Sequence, residues 1–199
     1  MDQIALFCSG GGSNAAKIMA YFATHPSIRV ALMVVNKPNI GALEYANNYG
    51  IPTVLTNKSS FSQTTELLAS LADHQITHIV LAGWLWLVPT YLLDAYPDRV
   101  VNIHPALLPK YGGKGMYGHH VHEAVHQNQE TQSGPTIHLA SAEFDKGQIL
   151  FVARCRLNST DSPATIAAKV LALEHQYYAP VIEAWILNRP MPHQPPETV

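Results

Sequence analysis

"IALFCSGGGSNAAKIMAYFA", residues 4–23, reads as three elements in quick succession. Residues 4–8 form an apolar run of the length of a buried strand, and from Ala15 onward the apolar residues have helical spacing. Between them, "SGGGSN" (9–14) lets the chain turn tightly. It also lets backbone N–H groups come close to an anion, helped by the positive end of the helix that follows. The loop is neither GxGxxG nor a Walker A motif, because no Gly-Lys-Ser/Thr follows, so a dinucleotide or ATP is not the expected ligand. A single phosphate group is the simpler one, with Ser13 and Asn14 adding side-chain donors. The competing reading is a strand-to-helix turn in which Ser or Asn serves only as a cap.

The same alternation continues through the first half. Strands are expected over 28–35, 53–56, 78–83 and 100–104. Helices are expected over 41–50, closed by Gly50, and over 64–75. These strands are continuous apolar runs rather than alternating ones, which is the pattern of a parallel sheet covered on both faces. The second half is less regular. Residues 118–127 look helical, and 136–141 and 148–157 look like strands of an antiparallel extension. A long helix should start after Ser162, which can cap it, with Pro163 in the first turn. The tail from 188 to 199 is proline-rich and expected to be irregular.

Composition limits the function. The chain has 199 residues, 47% hydrophobic and 13% charged, enough for a sizeable core. A net charge of -2 argues against general nucleic-acid binding, and no apolar run is long enough to span a bilayer. The N-terminus lacks the basic segment and cleavage site of a signal peptide. Cys8 and Cys155 lie far apart in apolar stretches and read as reduced thiols, as in a cytoplasmic protein.

"VNIHPALLPKY" (100–110) places an amide and an imidazole two residues apart where a hydrophobic strand ends. Residues i and i+2 share one face of a strand, and ligands of open parallel sheets bind beyond the strands' carboxyl ends. Asn102 can hydrogen-bond without changing charge, and His104 can give or take a proton near neutrality. Together they suit a carbonyl that becomes an oxyanion. A nearby carboxylate would keep the imidazole protonated. "AEFDKGQIL" (142–150) offers Asp145, with Glu143 as the competing choice.

The ordered set "SGGGSN", "NKPNIGALEYANNYGIPT", "VLAGWLWLVP", "VNIHPALLPKY", "SGPTIHLASAEFDKGQIL" and "LEHQYYAPVI" resembles the folate-dependent glycinamide ribonucleotide formyltransferase family over roughly residues 4–187. The resemblance implies a Rossmann-like formyltransferase domain: an α/β fold, mainly a parallel sheet flanked by helices, with an antiparallel extension in the C-terminal half. That single domain would cover 1–187, with 188–199 as tail. It implies formyl transfer from 10-formyltetrahydrofolate, a co-substrate, to the amino group of glycinamide ribonucleotide, with no metal. Asn102, His104 and Asp145 would be catalytic: Asn102 orients the formyl oxygen, His104 acts as acid and Asp145 raises its pKa. Gly12, Ser13 and Asn14 would hold the substrate phosphate and Glu174 its ribose. Trp84, Leu85, Trp86, Leu87 and Val88, near Asn102, would line the pterin slot, with Ala140, Ser141 and Glu143 on its other side. The partners would be these small molecules, not nucleic acid or membrane, and the protein a monomer or homodimer.

The chain departs from well-known members in three places. Leu85 and Trp86 stand where those carry Met-Arg, no basic residue lies around Ser60–Ser62, and "GGKGMYGHHVHEAV" is longer than their equivalent. The first two departures leave the grip on the folate glutamate tail unassigned. "HEAVH", from His122, Glu123, Ala124, Val125 to His126, satisfies the H-E-x-x-H zinc-protease pattern, but no third ligand follows at metzincin spacing. An amphipathic surface helix with Val121 and Val125 inward explains the same string. His138 reads as a strand residue that can approach the site. The alternatives are therefore another 10-formyltetrahydrofolate-dependent transferase or hydrolase, a zinc metalloprotease, and a non-catalytic ligand-binding domain.

Overall fold

The computed structural model describes residues 1–63 and 66–194. The chain divides into two compact units, Met1–Asn102 and Ile103–Val199.

In the first unit the elements are β1 (Asp2–Cys8), α1 (Ser13–Phe22), β2 (Ile28–Val35), α2 (Ala42–Asn48), β3 (Thr53–Leu55), α3 (Lys58–Gln63), α4 (Glu66–Asp73), β4 (His78–Leu81), α5 (Thr90–Ala95) and β5 (Val100–His104), which runs into the second unit. The strand order is β3-β2-β1-β4-β5, and each neighbouring pair is parallel. Residues 4–8 of the central strand are fully buried, as an apolar run covered on both faces requires. Each of Ile4, Leu6 and Phe7 contributes about 1.5–3 kcal/mol by burial.

Local chemistry sets the element ends. Gly50, at φ 63°, closes α2 as the sequence indicates. Gly50 N–H donates to Asn47 O at 3.1 Å and Ile51 N–H to Ala46 O at 2.9 Å, the two bonds of a Schellman motif. The helix expected over 64–75 ends at Asp73, because Gln75 takes a left-handed φ of 53°. Its first two expected positions, Thr64 and Thr65, lie outside the described residues. β4 stops at Leu81 rather than 83, where Gly83 turns the chain at φ 76°.

The second unit holds α6 (His119–Gln127), β6 (Gln132–Ser133), β7 (Thr136–Leu139), β8 (Ile149–Val152), β9 (Cys155–Arg156) and α7 (Pro163–Ile186). Beyond the end of β5 the sheet order continues β7-β8, with β7 and β8 antiparallel, and β6 and β9 form a separate antiparallel ribbon. The single strand expected over 148–157 is thus two strands in two sheets. At the break, Ala153 N–H donates to Pro135 O at 3.1 Å. A Cβ on Gly134 would lie 2.0 Å from Ala153 O, so only glycine permits this approach. Gln194, in the tail, brackets Arg154: its Oε1 accepts from Arg154 N at 2.9 Å and its Nε2 donates to Arg154 O at 2.7 Å. The cap of α7 is as expected, with Ser162 Oγ accepting from Thr165 N at 3.2 Å and Pro163 in the first turn. α6 and α7 share a buried core of Val125, Ile166 and Val170.

Both cysteines are free thiols. Burial pushes Cys8 up to about 12, so it stays protonated and inert. Among the described residues no helix is long and apolar enough to cross a membrane.

Candidate active site

In the first unit the chain lays β2 and β3 to one side of β1, then returns to place β4 and β5 on the other. The crevice beyond the carboxyl ends of β1 and β4 is therefore a topological switch point, where doubly wound sheets bind ligands. The pairings of Phe7 with Leu81 and of Leu81 with Asn102 bring β1, β4 and β5 to an end level with one another. Two bonds tie the loop after β1 to the loop after β4: Ser9 N–H to Gly83 O at 3.2 Å, and Leu85 N–H to Ser9 Oγ at 3.1 Å.

Four glycines at this end do different jobs. Gly12, at φ 76°, is the N-cap of α1, and a Cβ there would lie 2.6 Å from Ala42 Cβ. A Cβ on Gly41 would lie 3.0 Å from Gly11 O. These two let the loop close onto the start of α2, where Ala42 N–H donates to Gly10 O at 3.3 Å. Gly10 and Gly11 face open space. Their missing side chains leave the loop accessible rather than packed. The N-cap position of the competing reading is held by Gly12, not by Ser or Asn. The start of a helix directly after a glycine turn is an arrangement that can receive an anion. Ser13 is exposed and Asn14 half-buried.

The five residues expected to line the pterin slot divide by burial. Trp84 and Val88 are buried, Trp86 is half-buried, and Leu85 and Leu87 are 43% and 40% exposed. Trp84 joins Phe7, Phe61 and Trp86 in an aromatic cluster, with ring centroids 5.2, 5.0 and 5.4 Å from its own. Phe61 lies 5.6 Å from Trp86. Phe61 was not legible as part of this cluster, because "SSFSQ" carries no periodicity. Leu85, Trp86 and Leu87 supply the exposed apolar surface of this segment.

Asn102, half-buried, closes the first unit, and His104, the second residue of the second unit, ends the same strand. His104 is 4% exposed. Its Nε2 donates to Tyr111 O at 2.7 Å, and its Nδ1 lies 3.5 Å from Asp145 Oδ2. A carbonyl can only accept, so Nε2 keeps its proton in either charge state and Nδ1 is the nitrogen that titrates. Asp145 also accepts from Gly113 N–H at 2.8 Å, and its Oδ1 lies 3.6 Å from His138 Nε2. His138 Nδ1 donates to Leu139 O at 2.8 Å. The carboxylate therefore sits between two buried imidazoles. Backbone geometry makes room for it. Asp145 has φ 57°, a Cβ on Gly112 would lie 3.2 Å from Asp145 Cβ, and a Cβ on Gly147 would lie 1.7 Å from Leu139 O.

Asp145 and not Glu143 is the partner of His104. Glu143 is exposed, and its carbonyl accepts from Ser141 Oγ at 2.9 Å within the turn. Ala140 and Ser141 are half-buried. The influence of Asp145 on His104 has the expected upward sign, but burial outweighs it, and the His104 pKa lies below the ordinary imidazole value. Asp145 itself is pushed up by burial, yet the His138 hydrogen bond, the His104 charge and the Gly113 N–H overcome this and hold it below the usual carboxylate range. Glu174 is buried on α7. Sequence reasoning missed the Tyr111 carbonyl and Gly113 N–H, since backbone groups carry no residue signature.

The H-E-x-x-H reading does not fit α6. Val121, Val125 and also His122 are buried, whereas His126 is exposed and its Nδ1 donates to Asp161 O at 3.0 Å. Burial, then the charge of His104, lowers the His122 pKa. Among the described residues the group that can gather around a metal is instead His119, His120 and Glu123, with ligand atoms within 4.8 Å of one another and side chains in solvent.

Residues 2–182 match the formyl transferase family. Chloroplastic phosphoribosylglycinamide formyltransferase of Arabidopsis thaliana is 41% identical over 189 residues, covering 92% of this chain; the chain spans 64% of that protein's length. Phosphoribosylglycinamide formyltransferase of Bacillus subtilis (strain 168) is 30% identical over 190 residues, covering 92% of this chain and 94% of that one. Among solved structures, glycinamide ribonucleotide transformylase 1 from Symbiobacterium toebii superposes with a TM-score of 0.86 at 26% identity, covering 95% of this chain and 89% of that one. The phosphoribosylglycinamide formyltransferase from Bacillus halodurans gives 0.83 at 30% identity, covering 93% and 95%. The mainly parallel sheet with its antiparallel C-terminal strands is the architecture of that group, and the chain belongs to the formyl transferase family.

Proposed function

We propose that this chain transfers the formyl group of 10-formyltetrahydrofolate to the amino group of glycinamide ribonucleotide, a step of de novo purine biosynthesis. The observation that carries the reading is the pairing of Asp145, 3.5 Å away, with buried His104 at the end of the strand that also presents Asn102. The chemistry is an acyl transfer between nitrogens. The substrate amine attacks the formyl carbon, and the carbonyl π electrons move onto oxygen. Asn102 donates a hydrogen bond to that oxyanion. The amine's proton passes to Nδ1 of His104, where the lowered pKa keeps a lone pair available in the resting protein. The imidazolium is held between the Tyr111 carbonyl and the Asp145 carboxylate. It then returns the proton to N10 as the carbon–N10 bond breaks, so tetrahydrofolate leaves neutral at nitrogen and no net proton is consumed.

In this reading Gly12, Ser13 and Asn14 hold the phosphate, and Glu174 meets the ribose. Leu85, Trp86 and Leu87 face the pterin, with Ala140, Ser141 and Glu143 on its other side. Residues 1–187 act as one domain, supported by a single family match that runs from 2 to 182. The test is incubation with both substrates while following tetrahydrofolate release. Release that requires glycinamide ribonucleotide supports the transferase. Release without it assigns the chain to the hydrolases that use the same donor.

A further inference from the structure

Three buried polar residues stand in a row at the carboxyl ends of β3, β2 and β1: Thr56, Asn36 and Ser9. The pairings of Cys8 with Val35 and of Val35 with Leu55 set them side by side as the strands end. The outer two are satisfied. Ser9 Oγ accepts from Leu85 N–H at 3.1 Å. Thr56 N–H donates to Val35 O at 2.9 Å, and its Oγ1 donates to Asn57 O at 3.3 Å. Asn36 differs. It is 9% exposed, and among the described residues neither its Nδ2 nor its Oδ1 has a hydrogen-bond partner. A primary amide buried with both ends open opposes folding, and a valine at the end of β2 would avoid that cost.

The position of Asn36 indicates what the amide is for. The segment 36–41 leaves β2 beside Ser9 and comes back onto the glycine loop, where Gly41 abuts Gly11 and Ala42 N–H donates to Gly10 O at 3.3 Å. Asn36 thus stands at the foot of the loop whose open face, at Gly10 and Gly11, leads to the start of α1. We infer that Asn36 is a further ligand of the substrate phosphate, its Nδ2–H donating to a phosphate oxygen beside the backbone of residues 10–14. A neutral amide suits this place. It can wait buried without the desolvation cost of a lysine, and it adds a donor that the backbone of the loop lacks. The inference rests on the reading of that loop as the phosphate cradle of the amine substrate.

The test uses Asn36→Asp and Asn36→Ala in the full chain. Two readouts are taken: inorganic phosphate binding by calorimetry, and steady-state kinetics with glycinamide ribonucleotide and 10-formyltetrahydrofolate. Asn36→Asp keeps the shape, removes the donor and sets a negative charge against the phosphate. It should weaken inorganic phosphate and raise KM for glycinamide ribonucleotide at least tenfold. The KM for the folate should stay within twofold. Asn36→Ala should give a smaller rise in the same two constants. Unchanged phosphate affinity in Asn36→Asp overturns the inference. So does a fall in Tm with both KM values and kcat moving together, which marks a purely structural residue. Should Asn36→Asp fail to fold, Asn36→Ala and Asn36→Ser decide on the same constants. Phosphate binding is read without turnover. A chain that binds phosphate through Asn36 but transfers no formyl group keeps this inference and sinks the proposed reaction.

Discussion

The two compact units solve opposite problems with opposite materials. At the carboxyl end of β1 the first unit offers backbone. Gly10 and Gly11 face open space, Gly12 and Gly41 allow close packing, and α1 starts without a side-chain cap. The second unit offers side chains, with His104 and His138 buried against Asp145 and each imidazole anchored through one nitrogen to a carbonyl. A binding site for a fixed charge can be made from N–H groups, because their partial charge does not depend on pH. A site that moves a proton needs groups that titrate, and it must bury them to set where they do so. The first unit should therefore fail by geometry, and the second by chemistry.

His104→Ala should show the largest effect. Removing the proton carrier should lower kcat about 10³-fold, within the span of general acid–base contributions. Both KM values should stay within a few-fold. Retention of kcat within tenfold would take proton transfer out of the second unit and erase the contrast. Asp145→Asn comes next, with kcat about 10²-fold lower and a diagnostic pH profile. Catalysis through an unprotonated Nδ1 rises with pH through the His104 pKa. Asp145 pulls that pKa upward against burial, so the amide should shift the rising limb of kcat/KM to lower pH. A limb that does not move would show that His104 and Asp145 do not act together.

The first unit is tested by a pair of glycine substitutions. Gly12→Ala puts a Cβ at φ 76° and 2.6 Å from Ala42 Cβ, a strain of about 1–3 kcal/mol. It should lower Tm and raise KM for glycinamide ribonucleotide about tenfold, with kcat little changed. Gly10→Ala meets nothing within 4 Å and has no positive φ to strain. It should leave Tm within a degree or so while weakening inorganic phosphate, because the methyl group intrudes on the open face. Equal loss of Tm in both variants would mean that the glycines serve packing alone.

What the sequence disclosed follows the same division. β2 and β5 were legible to the residue, since a doubly covered strand is a bare apolar run. The cap of α7 was legible from Ser162 and Pro163. α3, "KSSFSQ", was not, because its one buried residue is Phe61 and one apolar residue has no period. Nor were β6 and β9, at two residues each, or the break that Gly134 imposes at Ala153. The pairing of His104 with Asp145 was legible because side-chain chemistry is written in residue types. The backbone groups that hold these two, Tyr111 C=O and Gly113 N–H, were not. The net sign of the His104 shift is opposite to the one the sequence leads one to expect, for a related reason. A charged neighbour can be read from sequence, but the depth of burial that outweighs it cannot.

The smallest effect separates the units by stability rather than by rate. His78, His104 and His122 all lie below the ordinary imidazole value of 6.5, each first through burial. In the unfolded chain they titrate near 6.5, so between that pH and their folded values the unfolded state binds more protons. Their contribution is therefore whole above about pH 6.5 and is lost as pH falls toward the folded values. The carboxylates held low, Asp145 among them, act well below this window, since even the ordinary Asp value is 3.8. Tm should fall between pH 7.5 and 5.5, and two of the three histidines responsible belong to the second unit. His122 is the cleanest handle, because it is buried and its Nδ1 has no hydrogen-bond partner. His122→Gln should flatten the dependence of Tm on pH without abolishing it. His78→Gln, the first unit's counterpart, should flatten it too, with Asp2 partly offsetting burial at that position. Unaltered slopes in both variants would return the acid sensitivity to His104 alone, and with it to the His104–Asp145 pair.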